Sequence, residues 1–209
     1  MRDVIFLIAD LECEATLRGF FSRDQFHRSL SCGRFSFDLK EDLLRDTVGK
    51  DPGVWKNAHQ LLRTKRLTHE RAMIILDNAW DGSPDVEAIE RDISNNMIAS
   101  GWPRDRFEVV VIDPELECWI WQDNSHVDEA FGHERPPSLR VRLREASLWP
   151  EDQSKPPDPK RAVEMTNSWY RFGAPSAVFN EIASRVSIRG CTDPAFLKMR
   201  GALQRWFPQ

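Results

Sequence analysis

The chain has 209 residues, 41% hydrophobic and 30% charged, with a formal net charge of −4. That length suits one domain, or one domain with an appendage, and the composition is that of a chain able to bury a core, which excludes intrinsic disorder. No apolar run approaches the roughly 20 residues of a membrane-spanning helix, and the opening MRDVIFLIADLE is too short in its apolar part for a signal peptide, so the expected setting is the cytoplasm with no membrane partner.

In chain order, Asp3–Ala9 (DVIFLIA) predicts a first buried strand. Asp10-Leu11-Glu12-Cys13-Glu14 follows and leads into an amphipathic helix to about Arg28, with Leu17, Phe20, Phe21 and Gln25 inward. The alternating Phe35–Leu39 predicts a second strand, and the charged stretch Lys40–Pro52 ends in the turn signal Asp51-Pro52-Gly53. Val54 to about Arg66 has helical spacing in Trp55, Ala58, Leu61 and Leu62. Ala72–Leu76 (AMIIL) is a third buried strand, and Ser83-Pro84-Asp85 starts a helix that runs to about Ser100.

Phe107–Ile112 is the fourth strand. It breaks into Asp113-Pro114-Glu115-Leu116-Glu117 and returns at once to the apolar Cys118–Trp121. Proline after an aspartate N-cap predicts a helix beginning at Pro114. Strands alternating with helices of this length imply right-handed crossovers and a mainly parallel sheet. Beyond Trp121 the strand signals end. Short helices are expected over Asp128–Gly132 and Ser138–Ala146, then an extended proline connector over Pro150–Pro159, then helices near 160–170, 175–186 and 194–206. The expected organisation is an α/β domain over 1–135 with a helical C-terminal extension over 136–209. Charge divides the same way: 17 Lys+Arg against 26 Asp+Glu in the first part, 12 against 7 in the second.

Three strands end in acid: Asp10, Asp77, and Asp113 with Glu115 and Glu117. Parallel strands would bring these ends to one edge of the sheet, where open α/β sheets hold ligands. Glu14 lies one helical turn beyond Asp10. Carboxylates gathered this way repel one another, and a cation would neutralise them; oxygen-only donors favour Mg2+ or Mn2+. Taken singly, Asp10 and Asp113 are ordinary helix caps and Glu115 suits a helix dipole. Caps do not account for Glu14, Glu117 and Asp77 together. The four cysteines lack a CxxC pair and the five histidines lack paired ligand spacing, which argues against zinc.

These residues also resemble a family. Asp10-Leu11-Glu12-Cys13-Glu14 after a strand resembles the E-G-x-x-E opening of TOPRIM-like proteins, and Pro114–Trp119 resembles the H-E-F-E-A-[LW] signature of a bacterial TOPRIM-like family of undefined function. The tail, with Pro159-Lys160-Arg161, Cys191–Phe196 and the closing Trp206, is similar too, and the whole chain resembles a small subunit of methylation-associated phage-defence systems. The resemblance implies a Rossmann-like (TOPRIM-like) fold, nucleic acid and other defence-system subunits as partners, and a divalent metal. Asp10 would replace the family's first glutamate, and Asp77 would be the first acid of its D-x-D. Leu11 stands where glycine is expected, Ala79 holds the second acid's position, and Asp81 lies two residues late as its substitute.

Two readings of function follow. One is a divalent-metal-dependent phosphodiesterase with Asp10, Glu14, Asp77, Glu115 and Glu117 as catalytic acids. Asp10, Asp77, Glu115 and Glu117 hold the metal, and Lys160 and Arg161 meet the phosphate. The other is a non-catalytic defence-complex subunit with a degenerate acidic site. Most tryptophans lie in apolar helical contexts that predict core packing rather than base stacking, and Arg140, Arg142 and Arg144 read as a solvated flank beside Leu139 and Leu143.

Overall fold

The computed structural model describes residues 1–209. Four strands, β1 (Arg2–Ile8), β2 (Leu43–Arg45), β3 (His69–Asp77) and β4 (Phe107–Ile112), form one all-parallel sheet in the order β2-β1-β3-β4. Ten helices surround it: α1 (Leu11–Phe21), α2 (Phe26–Leu30), α3 (Lys50–Leu61), α4 (Val86–Ala99), α5 (Glu117–Ile120), α6 (Ser125–Ala130), α7 (Leu139–Glu145), α8 (Pro159–Tyr170), α9 (Pro175–Arg185) and α10 (Pro194–Trp206). None is long and apolar enough to cross a membrane.

Strand residues alternate between two cores because successive side chains leave opposite faces of a sheet. Val4, Phe6, Ile8, Met73, Ile75, Val110 and Ile112 face the larger core, with α1, α5, α9 and α10. Ile5, Leu7, Ala72, Ile74, Leu76, Val109 and Val111 face the smaller one, closed by Val54, Ala58 and Leu62 around α3 and by Ile89, Ile93 and Met97 of α4. Helices beyond residue 136 therefore share a core with β1, β3 and β4, supplying Leu139, Leu143, Phe179 and Leu203. Helices α1 and α9 approach each other closely. A Cβ on Gly19 would lie 2.1 Å from the Asn180 carbonyl oxygen, and the Asn180 amide donates to Ala15 O at 2.9 Å.

The second strand is not at Phe35–Leu39. Phe35 and Phe37 instead join an aromatic cluster: Phe35 stacks on Phe207 at 4.5 Å between centroids, and Phe37 meets Phe21 at 4.3 Å and Phe6 at 5.2 Å. The edge of β1 is taken by Leu43–Arg45, delivered by the fully buried Asp42. Asp42 receives the Arg2 guanidinium, the His69 Nε2–H at 3.1 Å and the Asp38 N–H at 2.7 Å, while its carbonyl accepts from Phe6 N at 2.8 Å. Alternation identified a segment with one buried face; a buried carboxylate decided which segment pairs.

Three other boundaries differ. The first helix stops at Phe21, and α2 is separate, with Gln25 at its N-cap rather than in the core. Asp51-Pro52-Gly53 is no turn but part of the opening of α3, where proline's missing N–H costs nothing. Pro114 does not begin a helix: the Asp113–Pro114 peptide is cis and α5 starts at Glu117 behind Leu116. The Asn78 N–H donates to both Ile112 O (2.9 Å) and Pro114 O (3.0 Å), which keeps the chain running beside the end of β3.

Candidate functional site

The sheet reverses its direction of winding between β1 and β3: β2 lies on one side of β1, and β3 and β4 on the other. Loops leaving the carboxyl ends of β1 and β3 diverge there, and such a point leaves a crevice. Register pairs Ile8 with Ile75, so two residues further on Asp10 and Asp77 stand level. Asp77 in turn pairs with Ile112, after which Glu115 and Glu117 return towards the same edge. A cleft of about 830 Å³ opens there, lined by Asp10, Asp51, Asp77, Glu115, Glu117 and Lys160 among others.

Each acid is positioned by a local device. Asp10 caps α1, accepting from Cys13 N at 2.7 Å. Asp51, in the first turn of α3, accepts the Asp77 N–H at 2.8 Å and so ties that helix to the end of β3. Glu115 is buried and accepts the Lys160 backbone N–H at 3.2 Å, with Lys160 Nζ 3.7 Å away. Glu117 opens α5, which is anchored from behind. Asp193, the N-cap of α10, accepts from Trp119 Nε1 at 2.8 Å, from the Cys118 thiol at 3.4 Å and from Phe196 N at 2.9 Å. Lys155 Nζ donates to Cys118 O at 2.6 Å. The Pro114–Trp119 and Cys191–Phe196 stretches, remote in sequence, are thus two halves of one contact, with Trp119 edge-on to Phe196 at 5.4 Å.

The electrostatics are those of crowded acids short of cations. Burial pushes the Asp77 carboxyl well above the usual carboxylate range, and Asp51 and Asp10 add to the shift. Asp51 is raised by burial and by Asp10, against the pull of the Asp77 N–H. Glu117 is pushed up to about 7 by burial and then by Glu115. Burial also raises Glu115, with Lys160 opposing it. Burial disfavours the charged Lys160 ammonium, but Glu115, Glu117 and Asp77 outweigh that and raise it.

The cleft brings together Asp10, Asp77, Glu115, Glu117 and Lys160. It does not include Glu14, whose carboxylate is paired with Arg18 at 2.8 Å and Arg45 at 2.6 Å and held below the usual range by those arginines, despite its partial burial. Arg161 is exposed outside the cleft; its N–H donates to the Asp158 cap at 2.9 Å. Asp81 and Asp113 are exposed and do not line the cleft either. Asp51, which is not among the sequence-derived site residues, stands beside Asp77. Its signal in the sequence is an acid one residue before proline, a pattern that serves equally for a turn and for a helix start.

No three His, Cys, Asp or Glu side chains are placed so as to hold a metal ion between them. A protein-built cage of the calcium type is therefore absent. A magnesium ion, which keeps most of its waters, requires only one or two carboxylates from a protein. No protein-family model matches the chain, and no curated protein or solved structure shows significant similarity to it.

Proposed function

We propose that the acidic cleft serves a divalent-metal-dependent phosphodiesterase of TOPRIM-like type, acting on nucleic acid as a component of an antiphage defence system. The observation that carries the proposal is the gathering of Asp10, Asp77 and Glu117, from three separate strand ends, in one cleft with Lys160. Asp10 and Asp77 are the carboxylates to hold Mg2+ or Mn2+, since neither has a lysine or arginine partner. The ion would supply charge neutralisation at the phosphate and a more acidic bound water. Glu117, near neutrality, can hold or release a proton at its carboxyl oxygen in the working pH range. Glu115 orients Lys160, whose side chain remains largely exposed and free to meet a phosphate oxygen. The defence role and the nucleic-acid substrate rest on the resemblance of the acidic and C-terminal motifs.

A second reading, a non-catalytic subunit of such a complex, is favoured by Ala79 in the second D-x-D position and by the capture of Glu14 between two arginines. Calorimetric titration with magnesium and manganese on the wild type and Asp77→Asn separates the two. Binding by the wild type that the variant loses supports the metal site, and nicking of methylated or unmethylated plasmid by the wild type then supports catalysis. Absence of binding to the wild type removes the enzyme; binding without cleavage of any substrate leaves the subunit reading.

A further inference from the structure

The lips of the cleft carry apolar side chains that its acids do not explain. Leu11, the first residue of α1, is 48% exposed, and Val48, in the loop before α3, is 91% exposed. Both line the cleft with the partly exposed Trp80 that follows β3. Behind Trp80 stands Trp55 of α3, with ring centroids 6.2 Å apart and planes tilted by 36°. The chain exposes six large hydrophobic residues, and two of them are on this one rim. Apolar surface gathered at the mouth of a charged pocket marks a ligand that brings an apolar face of its own.

The cleft's volume of about 830 Å³ lies within the roughly 300–1,000 Å³ of organic-ligand pockets and far exceeds the needs of an ion. Lys50 and Lys160 supply cations in the same cleft. A flat apolar face joined to an anion describes a nucleobase on its phosphodiester. In a duplex both faces of a base are covered by stacked neighbours, so only an unpaired base can lie on an indole.

We infer that Trp80, Val48 and Leu11 form a stacking platform for an unpaired nucleobase, so that the cleft takes single-stranded or locally opened nucleic acid, with the adjoining phosphate towards Lys160. The inference rests on the phosphodiester reading above. Trp80 is then a specificity determinant and not a catalytic residue.

The test is fluorescence anisotropy with three end-labelled probes of equal length: single-stranded oligothymidylate, an abasic tetrahydrofuran backbone, and a duplex. Each is titrated with the full chain in magnesium and in EDTA. In magnesium the oligothymidylate should bind about tenfold or more tighter than the abasic strand and the duplex, as stacking of one base predicts. Trp80→Ala should reduce that preference to within about twofold, and Trp80→Phe should keep most of it. Val48→Ser, on a side chain too exposed to disturb the core, removes apolar contact without adding charge, should weaken oligothymidylate selectively, and guards against misfolding of the tryptophan variant. Equal binding of the base-bearing and abasic strands overturns the platform and leaves the phosphodiester reading intact. Failure of every probe to bind, in either buffer, overturns both.

Discussion

Glu117→Gln offers the most direct test of the crowded acidic edge. The native carboxyl titrates at about 7 against an ordinary 4.5. Between those values the folded chain holds a proton that the unfolded chain has released, so stability falls as pH rises through that window. At about pH 8 the full shift corresponds to roughly 3 kcal/mol of destabilisation, and screening at the partly exposed side chain reduces it to about 2 kcal/mol. Glutamine keeps the shape and removes the charge. Urea unfolding of both proteins between about pH 4.5 and 8 should therefore show matched stabilities at the acid end and a variant more stable by about 2 kcal/mol at the alkaline end. Magnesium should narrow the alkaline gap, because a cation favours the ionised wild-type carboxylate. Wild-type and variant curves that stay parallel across the range would refute the reasoning, since a carboxyl in open solvent gives no such divergence.

Other perturbations report on the frame that holds the cleft. Asp42→Ala leaves the Arg2 guanidinium and the buried His69 without their acceptor and should cost about 2–4 kcal/mol in chemical denaturation. Burial alone would raise the Asp42 carboxyl, but Arg2, the Asp38 N–H and His69 hold it below the ordinary range. Its stabilisation is therefore present above the ordinary carboxylate value and should disappear, in a wild-type stability profile, only as the solution is acidified below about pH 4. Asp193→Ala removes a helix cap and strands the Trp119 indole N–H, so thermal unfolding should show a loss of about 2–4 kcal/mol. Gly19→Ala pushes a methyl into the Asn180 carbonyl and should cost about 1–3 kcal/mol, with α9 displaced from α1 in a crystal structure; an unchanged midpoint would mean that the two helices do not meet closely at this glycine.

Much of the sheet was readable in one dimension. The apolar runs at Val4–Ile8, Ala72–Leu76 and Val109–Ile112 lie in strands because a strand covered on both faces needs no polar alternate, and the strands that hold them are found where they were expected. The helix starts expected at Ser83-Pro84-Asp85 and near residues 160 and 194 are found, behind the observed caps Asp85, Asp158 and Asp193. Phe35–Leu39 alternates without pairing for a physical reason: alternation records one buried face, and an aromatic cluster satisfies that as well as a ladder does. The Asp113-Pro114 pair misled in the same way, its capping chemistry giving way to the bonds from Asn78.

By itself the sequence determined that this chain would bury a parallel sheet and leave acids at the ends of its strands, because hydrophobic runs and caps act over a few neighbouring residues. Only the tertiary structure decided which acids meet. The strand order sets Asp10 level with Asp77, the register of β2 and the start of α3 bring in Asp51, and α8 returns Lys160 to Glu115. It equally decided that Glu14, one turn from Asp10, faces Arg45 instead. Such meetings depend on how distant elements pack, and no local pattern encodes the distance between two ends of a sheet.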